Sequence, residues 1–192
     1  MAEASTEVPK DFRDLFNVDI GTHAGYVFES NSEKQERLFE LCRELILRHC
    51  GVLYIAGKQG VKGIRLSLID TGLDVSGYQR SGQMNIVDSE EWYLSSPRRI
   101  QFKSDAELEN EFRRVSEETI SSGYNYLVVI SETDMLVRKG FLAKYAELDA
   151  QLDSVIRDLK IGFLCAFDRR ELVASGVKDA TLQVTVTHQT MI

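Results

Sequence analysis

The chain has 192 residues, of which 43% are hydrophobic and 28% are charged, as in a globular domain with a sizeable core. Its net charge of −7 argues against a broad electrostatic grip on DNA or RNA, because such a surface needs clustered lysines and arginines. No apolar run approaches the ~20 residues of a membrane span, and the polar start MAEASTEVPKDF is not a secretory signal, so we expect a cytoplasmic protein.

Short apolar runs alternate with helical spacing along the chain, after an N-terminal leader at 1–17 and within a single domain at 18–192. The predicted strands are 24–28, 51–57, 82–88, 124–131 and 161–167, and TLQVTVTH (181–188) alternates as an antiparallel edge strand does. The predicted helices begin near Ser32, which resembles a capping box with Gln35, and then cover 61–72, 105–121 and 140–159. Residues 89–104 are expected to be irregular.

This alternation predicts an α/β fold. Strands joined through helices form right-handed crossovers, so the sheet should be mostly parallel, with helices on both faces and an antiparallel C-terminal edge strand. A ligand of such a sheet binds beyond the carboxyl ends of its strands, at a switch in strand order.

Polar side chains are predicted at that edge of the sheet. The strand ends deliver Glu29 and Asn31, then Glu132, then Asp168 and Arg169. The carboxylates could hold a cation, act as acid and base, or bind polar groups of a ligand. They could equally cap the helices that follow and stay solvated.

The sequence lacks the motifs that hold phosphate or nucleotide. GKQGVKG (57–63) has the wrong spacing for a phosphate-binding loop, and the first strand–helix junction has no glycine but carries Glu29 and Glu33. Neither a GxGxxG fingerprint nor a GxSxG nucleophile elbow is present. We therefore expect no enzyme activity, no catalytic residue and no cofactor.

Three further side chains are candidates only if the fold gathers them. His23, Cys165 and His188 could form a ligand or metal cluster, but no short ligand spacing supports a metal, and none is assigned. Cys165 lies in an apolar strand, which favours an inert core thiol. Trp92 lies in the irregular segment and could line a pocket or form part of a lid.

Five stretches of the sequence, taken in order, carry a family resemblance. They are THAGYVFESNSEKQERLFELCRELI, VLYIAGKQGVKGIRLSLIDTGLDVSGYQRSGQMNIVDSEEWYL, LVVISETD, FLAKYAELDAQL and IGFLCAFDRREL. The most telling parts are His23 with Tyr26 and Glu29, the unit from Gly72 to Ile86, Glu132, and LCAFDRR (164–170). Together they resemble the MEDS domain, the sensory domain named for methanogens, methylotrophs and the DcmR dichloromethane-response regulator.

The resemblance implies a RecA/KaiC-like, Rossmann-like three-layer sandwich without the Walker lysine. It also implies a sensor of small organic molecules, proposed to be simple hydrocarbon derivatives. The matching positions that become candidates for its ligand site are His23, Tyr26, Glu29, Glu132, Cys165, Asp168 and His188. One departure is KYAELDAQL, where the family has Tyr-Glu, so the carboxylate expected on that helix is absent or displaced to Glu147.

The expected function is thus a non-enzymatic sensory domain in signal transduction or transcriptional regulation. We expect no helix-turn-helix or kinase module beside the domain, and hence output through a regulator, kinase or DNA-binding partner protein, without direct contact to nucleic acid or membrane. A homodimer is compatible with this role. Two alternatives stay open: a RecA/KaiC-derived nucleotide-binding or ATPase-like protein using Lys58 or Arg169, and an interaction module without a ligand.

Overall fold

The computed structural model describes residues 18–96, 101–176 and 190–191. The strands are β1 (His23–Phe28), β2 (Gly51–Ala56), β3 (Met84–Asp88), β4 (Leu94–Ser96), β5 (Gln101–Phe102), β6 (Leu127–Glu132), β7 (Ile161–Asp168) and β8 (Thr190–Met191). The helices are α1 (Asn31–Leu47), α2 (Gly60–Asp70), α3 (Val75–Arg80), α4 (Ser89–Tyr93), α5 (Asp105–Ser121), α6 (Asp134–Arg138), α7 (Leu142–Asp158) and α8 (Arg169–Ala174).

Six strands form one sheet in the order β3-β2-β6-β7-β1-β8, and all of its pairings are parallel. Strands β4 and β5 form a separate antiparallel pair. Every residue of β2, β6 and β7 is buried, because helices cover both faces of the sheet. The predicted α/β fold with a mostly parallel sheet is confirmed.

The sheet separates two hydrophobic cores. On its first face, Tyr54 and Leu164 pack with the apolar side of α1 and with α2 and α3. On its second face, the next residues along the same strands, Ile55 and Cys165, pack with α5 and α7. This alternation follows from the two-residue period of a strand and produces three layers.

Several boundaries differ from the sequence prediction. The segment predicted to be irregular contains α4, whose start is capped by Asp88 accepting from the Glu90 amide at 2.8 Å. Five residues are too few to show a helical period, so the sequence could not reveal it. The first helix begins at Asn31, with Ser30 as its cap in place of Ser32.

Two other predictions concern segments outside the described residues. The leader at 1–17 and the antiparallel strand at 181–188 both lie there. Next to the second segment, Thr190–Met191 forms a parallel edge strand beside β1. No helix of the described ranges has the length and hydropathy needed to cross a membrane.

The chain diverges between β2 and β6. After β2 it moves to β3 on one side, and after β6 it moves to β7 on the other side. In an open parallel sheet, such a divergence leaves a crevice outside the carboxyl ends of the two strands. Strand order therefore places a potential ligand site beside Ala56 and Glu132, the last residues of β2 and β6.

Candidate functional site

A cleft lies at this divergence. Its volume is about 430 Å³, within the range of small-molecule sites. The residues that line it come from the segments after β2 and β3 and from α6: Gly57, Lys58, Gly60, Asp88, Ser89, Glu90, Met135, Arg138 and Lys139.

Charges of both signs surround the cleft. Lys139 pairs with Glu90 at 2.7 Å, whereas Lys58 and Arg138 both approach Oε1 of Glu171, at 3.4 and 3.7 Å. Glu171 belongs to α8, so this helix is tied to the cleft through two long ion pairs. Long, partly exposed pairs are weak, and a polar ligand can therefore compete for the two cations.

The backbone after β2 closely approaches α6. A Cβ atom on Gly57 would lie 1.9 Å from Oδ1 of Asp134, so only glycine fits there. The Gly57 amide donates to Glu132 at 3.3 Å, and the Lys58 amide donates to Asp134 at 3.1 Å. Burial raises the pKa of Asp134, and the Lys58 amide, the charge of Lys34 and the Met135 amide oppose this shift. Two amides that could have bound a phosphate are thus committed to carboxylates.

A buried lysine–glutamate network fills the first face of the sheet near the strand ends. We use this name for Lys34, Tyr54, Gln59 and Glu132. Lys34 Nζ lies 3.1 Å from the Glu132 carboxylate and 3.4 Å from Gln59 Oε1. Tyr54 donates its hydroxyl to Glu132 at 2.5 Å. Burial raises the pKa of Glu132, although Lys34 and Tyr54 oppose this shift.

The junction between β1 and α1 serves mainly to start the helix. Ser30 accepts from the Glu33 amide at 3.1 Å, and Glu33 accepts from the Glu29 amide at 2.9 Å and from the Tyr26 hydroxyl at 3.1 Å. Burial, followed by the charge of Glu33, raises the pKa of Tyr26. Asn31 is the exposed first residue of α1.

Glu29 and Arg169, predicted from separate strand ends, meet in space. Arg169 donates to Glu29 at 2.7 Å, and the two side chains are 56% and 60% exposed. This contact joins the start of α8 to the end of β1. The exposure of both groups makes the pair weak.

Asp168 is a helix cap. It accepts from the Arg170 amide at 2.9 Å and from the Arg170 guanidinium at 2.7 Å. Burial acts to raise the pKa of Asp168, but these hydrogen bonds together outweigh it and hold the pKa below its usual value. The described contacts of Asp168 are therefore those of a residue that orients α8.

The fold brings His23 and Cys165 together on the second face of the sheet, which was the condition for a cluster. Asp149 is the third residue of this cluster. Nε2 of His23 is 3.1 Å from Oδ1 of Asp149, and Sγ of Cys165 is 3.4 Å from the same oxygen and 3.6 Å from Nε2. We call these three fully buried residues the triad. The Tyr145 hydroxyl lies 2.8 Å from Sγ.

Asp149 corrects the expectation for α7. The sequence suggested that the carboxylate of this helix was missing or displaced to Glu147, but Glu147 is exposed and Asp149 faces the sheet. Asp149 follows Tyr145 by one helical turn, at the spacing of the apolar stripe. An acidic residue within an apolar helical stripe was the signal in the sequence that could have identified Asp149 as a buried carboxylate.

Two sequence candidates, Trp92 and His188, and one residue that the sequence analysis missed remain. Trp92 is buried in the second core, with its ring 5.3 Å from that of Phe112 and Lys103 Nζ 5.8 Å from its centre. It does not line the cleft. His188 lies outside the described residues. Lys34 was missed, although it stands one turn before Leu38 on the apolar side of α1.

The architecture defines the class of protein. The chain is similar in structure to a KaiC-like protein of the hyperthermophilic archaeon Pyrococcus horikoshii OT3, with a TM-score of 0.54 and 12% sequence identity. The match covers 77% of this chain and 61% of that structure, so this chain spans about three fifths of its length. The likeness supports a RecA-like fold.

The family follows from the sequence itself. The model of the MEthanogen/methylotroph, DcmR Sensory domain, or MEDS, matches residues 22–188. The chain therefore belongs to the MEDS family of sensory domains. No curated protein matches the sequence.

Proposed function

We propose that this chain is a non-enzymatic sensor whose cleft beyond β2 and β6 binds a small polar molecule, of the class of simple hydrocarbon or C1 derivatives. The observation that carries the proposal is a cleft of about 430 Å³ at the divergence of the strand order, lined by charges of both signs. Membership of a sensory family supports the same role.

The residues near the phosphate position of a RecA-like fold favour a sensor over an ATPase. The lysine–glutamate network commits Lys34 to Glu132, and the amides of Gly57 and Lys58 serve carboxylates. A nucleotide at the first strand–helix junction would also meet the exposed carboxylate of Glu29. These groups would have to be rearranged before a triphosphate could bind.

The contacts of α8 suggest how binding is relayed. A ligand that binds Lys58 or Arg138 competes with Glu171 for these cations. It therefore weakens the ion pairs that connect α8 to the cleft. The first residue of α8, Arg169, pairs with Glu29 at the end of β1. Ligand binding would thus shift the population of α8 positions and change the surface offered to a regulator, kinase or DNA-binding partner.

Binding can be tested by calorimetry and thermal shift with methanol, formate, dichloromethane, ATP and GTP, each with and without Mg²⁺. We expect one of the C1 compounds to bind, and Lys58→Gln and Arg138→Gln to weaken that binding at least about tenfold, the loss of one good polar contact. Lys62→Gln is the matched control, because Lys62 is exposed on α2 and does not line the cleft.

The outcomes separate the three functions. Tight, Mg²⁺-dependent binding of ATP with hydrolysis would contradict the sensor proposal and support the ATPase-like alternative. A cleft that binds none of these compounds, in a chain that captures a partner regardless of ligand, would favour the interaction module. Ligand binding unaffected by Lys58→Gln and Arg138→Gln would place the site elsewhere.

A further inference from the structure

The triad lies between the sheet and α7, away from the cleft, and the proposed function does not use it. His23 begins β1, Cys165 lies in the middle of β7, and Asp149 projects from α7. We propose that these three residues bind a divalent transition-metal ion, with Zn²⁺ the best match to their donor atoms. The inference is independent of the proposed function.

The distances within the triad fit a metal site. Nε2, Oδ1 and Sγ form a triangle with edges of 3.1, 3.4 and 3.6 Å. A point equidistant from these atoms lies about 2.0 Å from each, and a small displacement from their plane gives the usual zinc bond lengths of roughly 2.0–2.3 Å. In tetrahedral zinc sites the corresponding edges are roughly 3.3–3.6 Å. The ion would therefore require shifts of only a few tenths of an ångström, by comparison with these edges.

The donor set selects the kind of metal. An imidazole nitrogen, a carboxylate oxygen and a thiolate sulfur together favour zinc and its neighbours among the first-row metals over Mg²⁺ or Ca²⁺, which take oxygen ligands. The Tyr145 hydroxyl lies 2.8 Å from Sγ. It can hydrogen-bond to a thiolate and so support the metal from outside the ligand set.

Charge balance is compatible with a bound metal. Asp149 is fully buried and lies 3.1 Å from His23 Nε2. A divalent ion would balance the charges of both the Asp149 carboxylate and the Cys165 thiolate. Binding releases the thiol proton to solvent, so the ion replaces one proton between the three side chains.

Without a metal the thiol is protected from reaction. The side chain of Cys165 is fully buried, so attacking groups in solvent cannot reach it. A reactive cysteine is therefore a less suitable explanation for the cluster. A metal would instead join β1, β7 and α7 and hold the helix against the sheet.

Cobalt substitution tests the site in the full chain. Protein stripped with a chelator is titrated with Co²⁺, and the thiolate-to-cobalt absorption band is followed, with Zn²⁺ added as competitor. We expect one Co²⁺ per chain, displaced by Zn²⁺, and a rise in melting temperature on binding. Cys165→Ser should abolish the band, and Asp149→Asn or His23→Gln should weaken binding at least about tenfold.

Cys42→Ser is the matched control, because Cys42 is also a free, fully buried thiol on the first face of the sheet. It should keep the band. Circular dichroism checks that each variant folds, and metal content of the wild-type chain provides a measurement that needs no variant. Folded wild-type protein that binds no Co²⁺ or Zn²⁺, or a band that persists in folded Cys165→Ser, would overturn the proposal and leave a hydrogen-bonded histidine–aspartate pair.

Discussion

Two buried polar clusters lie on opposite faces of the same sheet, and they differ in how their groups are satisfied. In the lysine–glutamate network, the Glu132 carboxylate meets an ammonium, a phenol and a backbone amide. In the triad, three groups that can all act as metal ligands converge on one point instead. The network therefore balances a buried charge with its own groups, whereas the triad brings together the three donors that we propose bind a metal ion.

The comparison changes the meaning of the strand-end carboxylates. The sequence predicted Glu132 directly after its strand; in the structure it is the last strand residue and lies inside the protein, with its charge matched by Lys34. Glu29 also follows a strand end, but it stays in solvent. Position along a strand is therefore a weak guide to function, and the burial of the side chain decides its energetic role.

The largest expected effect comes from leaving Glu132 without its cation. Lys34→Met should lower the free energy of unfolding by about 3–5 kcal/mol, because it leaves an uncompensated buried carboxylate. The double variant Lys34→Met with Glu132→Gln should recover much of this loss. Urea unfolding of the four members of the cycle measures the coupling. A single-variant loss below about 1 kcal/mol would show that the pair behaves as a surface pair.

The pH dependence of that loss has a defined sign. Burial raises the folded-state pKa of Glu132, so this carboxylate takes up a proton at a higher pH in the folded chain than in the unfolded chain. The stability that this pKa shift contributes to the folded state is complete below the unfolded pKa near 4.5, and it is lost as the pH rises through the folded pKa. The penalty of Lys34→Met should therefore shrink as the pH falls toward 4.5.

Two buried tyrosines allow a direct comparison of the clusters. Tyr54→Phe removes a hydrogen bond to a charged group and should cost about 1.5–3 kcal/mol, whereas Tyr145→Phe removes a contact to a thiol and should cost about 0.5–1.5 kcal/mol without metal. Unfolding of both variants after chelation measures the difference. Equal losses would contradict the contrast between the two clusters.

Asp168→Ala should have an intermediate effect of about 0.5–2 kcal/mol at neutral pH, because the cap of α8 is lost. The folded pKa of Asp168 is lowered, so its contribution is present above 3.8 and is lost as the pH falls through the folded pKa. Unfolding of the two proteins from pH 7 to pH 2 should therefore converge at the acidic end. A difference constant with pH would mean that the carboxylate charge plays no part.

The smallest effect is expected at the exposed pair. Glu29→Gln should change the unfolding free energy by less than about 1 kcal/mol, since Glu29 and Arg169 are largely in water. Comparison with Lys34→Met in the same urea series then isolates the influence of burial on an ion pair. A loss similar to that of Lys34→Met would show that the Glu29 side chain is buried in solution.

Much of the architecture was predictable because it follows from short-range patterns. Continuous apolar runs such as GVLYIAG predicted β2 and its neighbouring strands. Helical spacing predicted α5 at the bounds that the structure shows, Asp105–Ser121. The short helices α3, α4, α6 and α8 were not predicted, because five or six residues carry too little periodicity. The family was visible in the order of its segments.

The sites were less predictable, because each joins residues distant in the chain. From the sequence, the three triad residues could be recognised only one at a time. His23 is a histidine before a strand, Asp149 is an acid in an apolar stripe, and Cys165 is a core cysteine. The cleft required the strand order, since Gly57, Ser89 and Arg138 become neighbours only through the divergence between β2 and β6.

The sequence by itself determined the alternation of strands and helices, the absence of a phosphate-binding loop motif and the membership of the MEDS family. Each of these depends on residue types at fixed local spacing. Only the tertiary structure decided that Glu132 is buried against Lys34, that Glu29 remains exposed, and that Asp149 completes the triad. Burial and convergence depend on which elements pack together, and that information is spread over the whole chain.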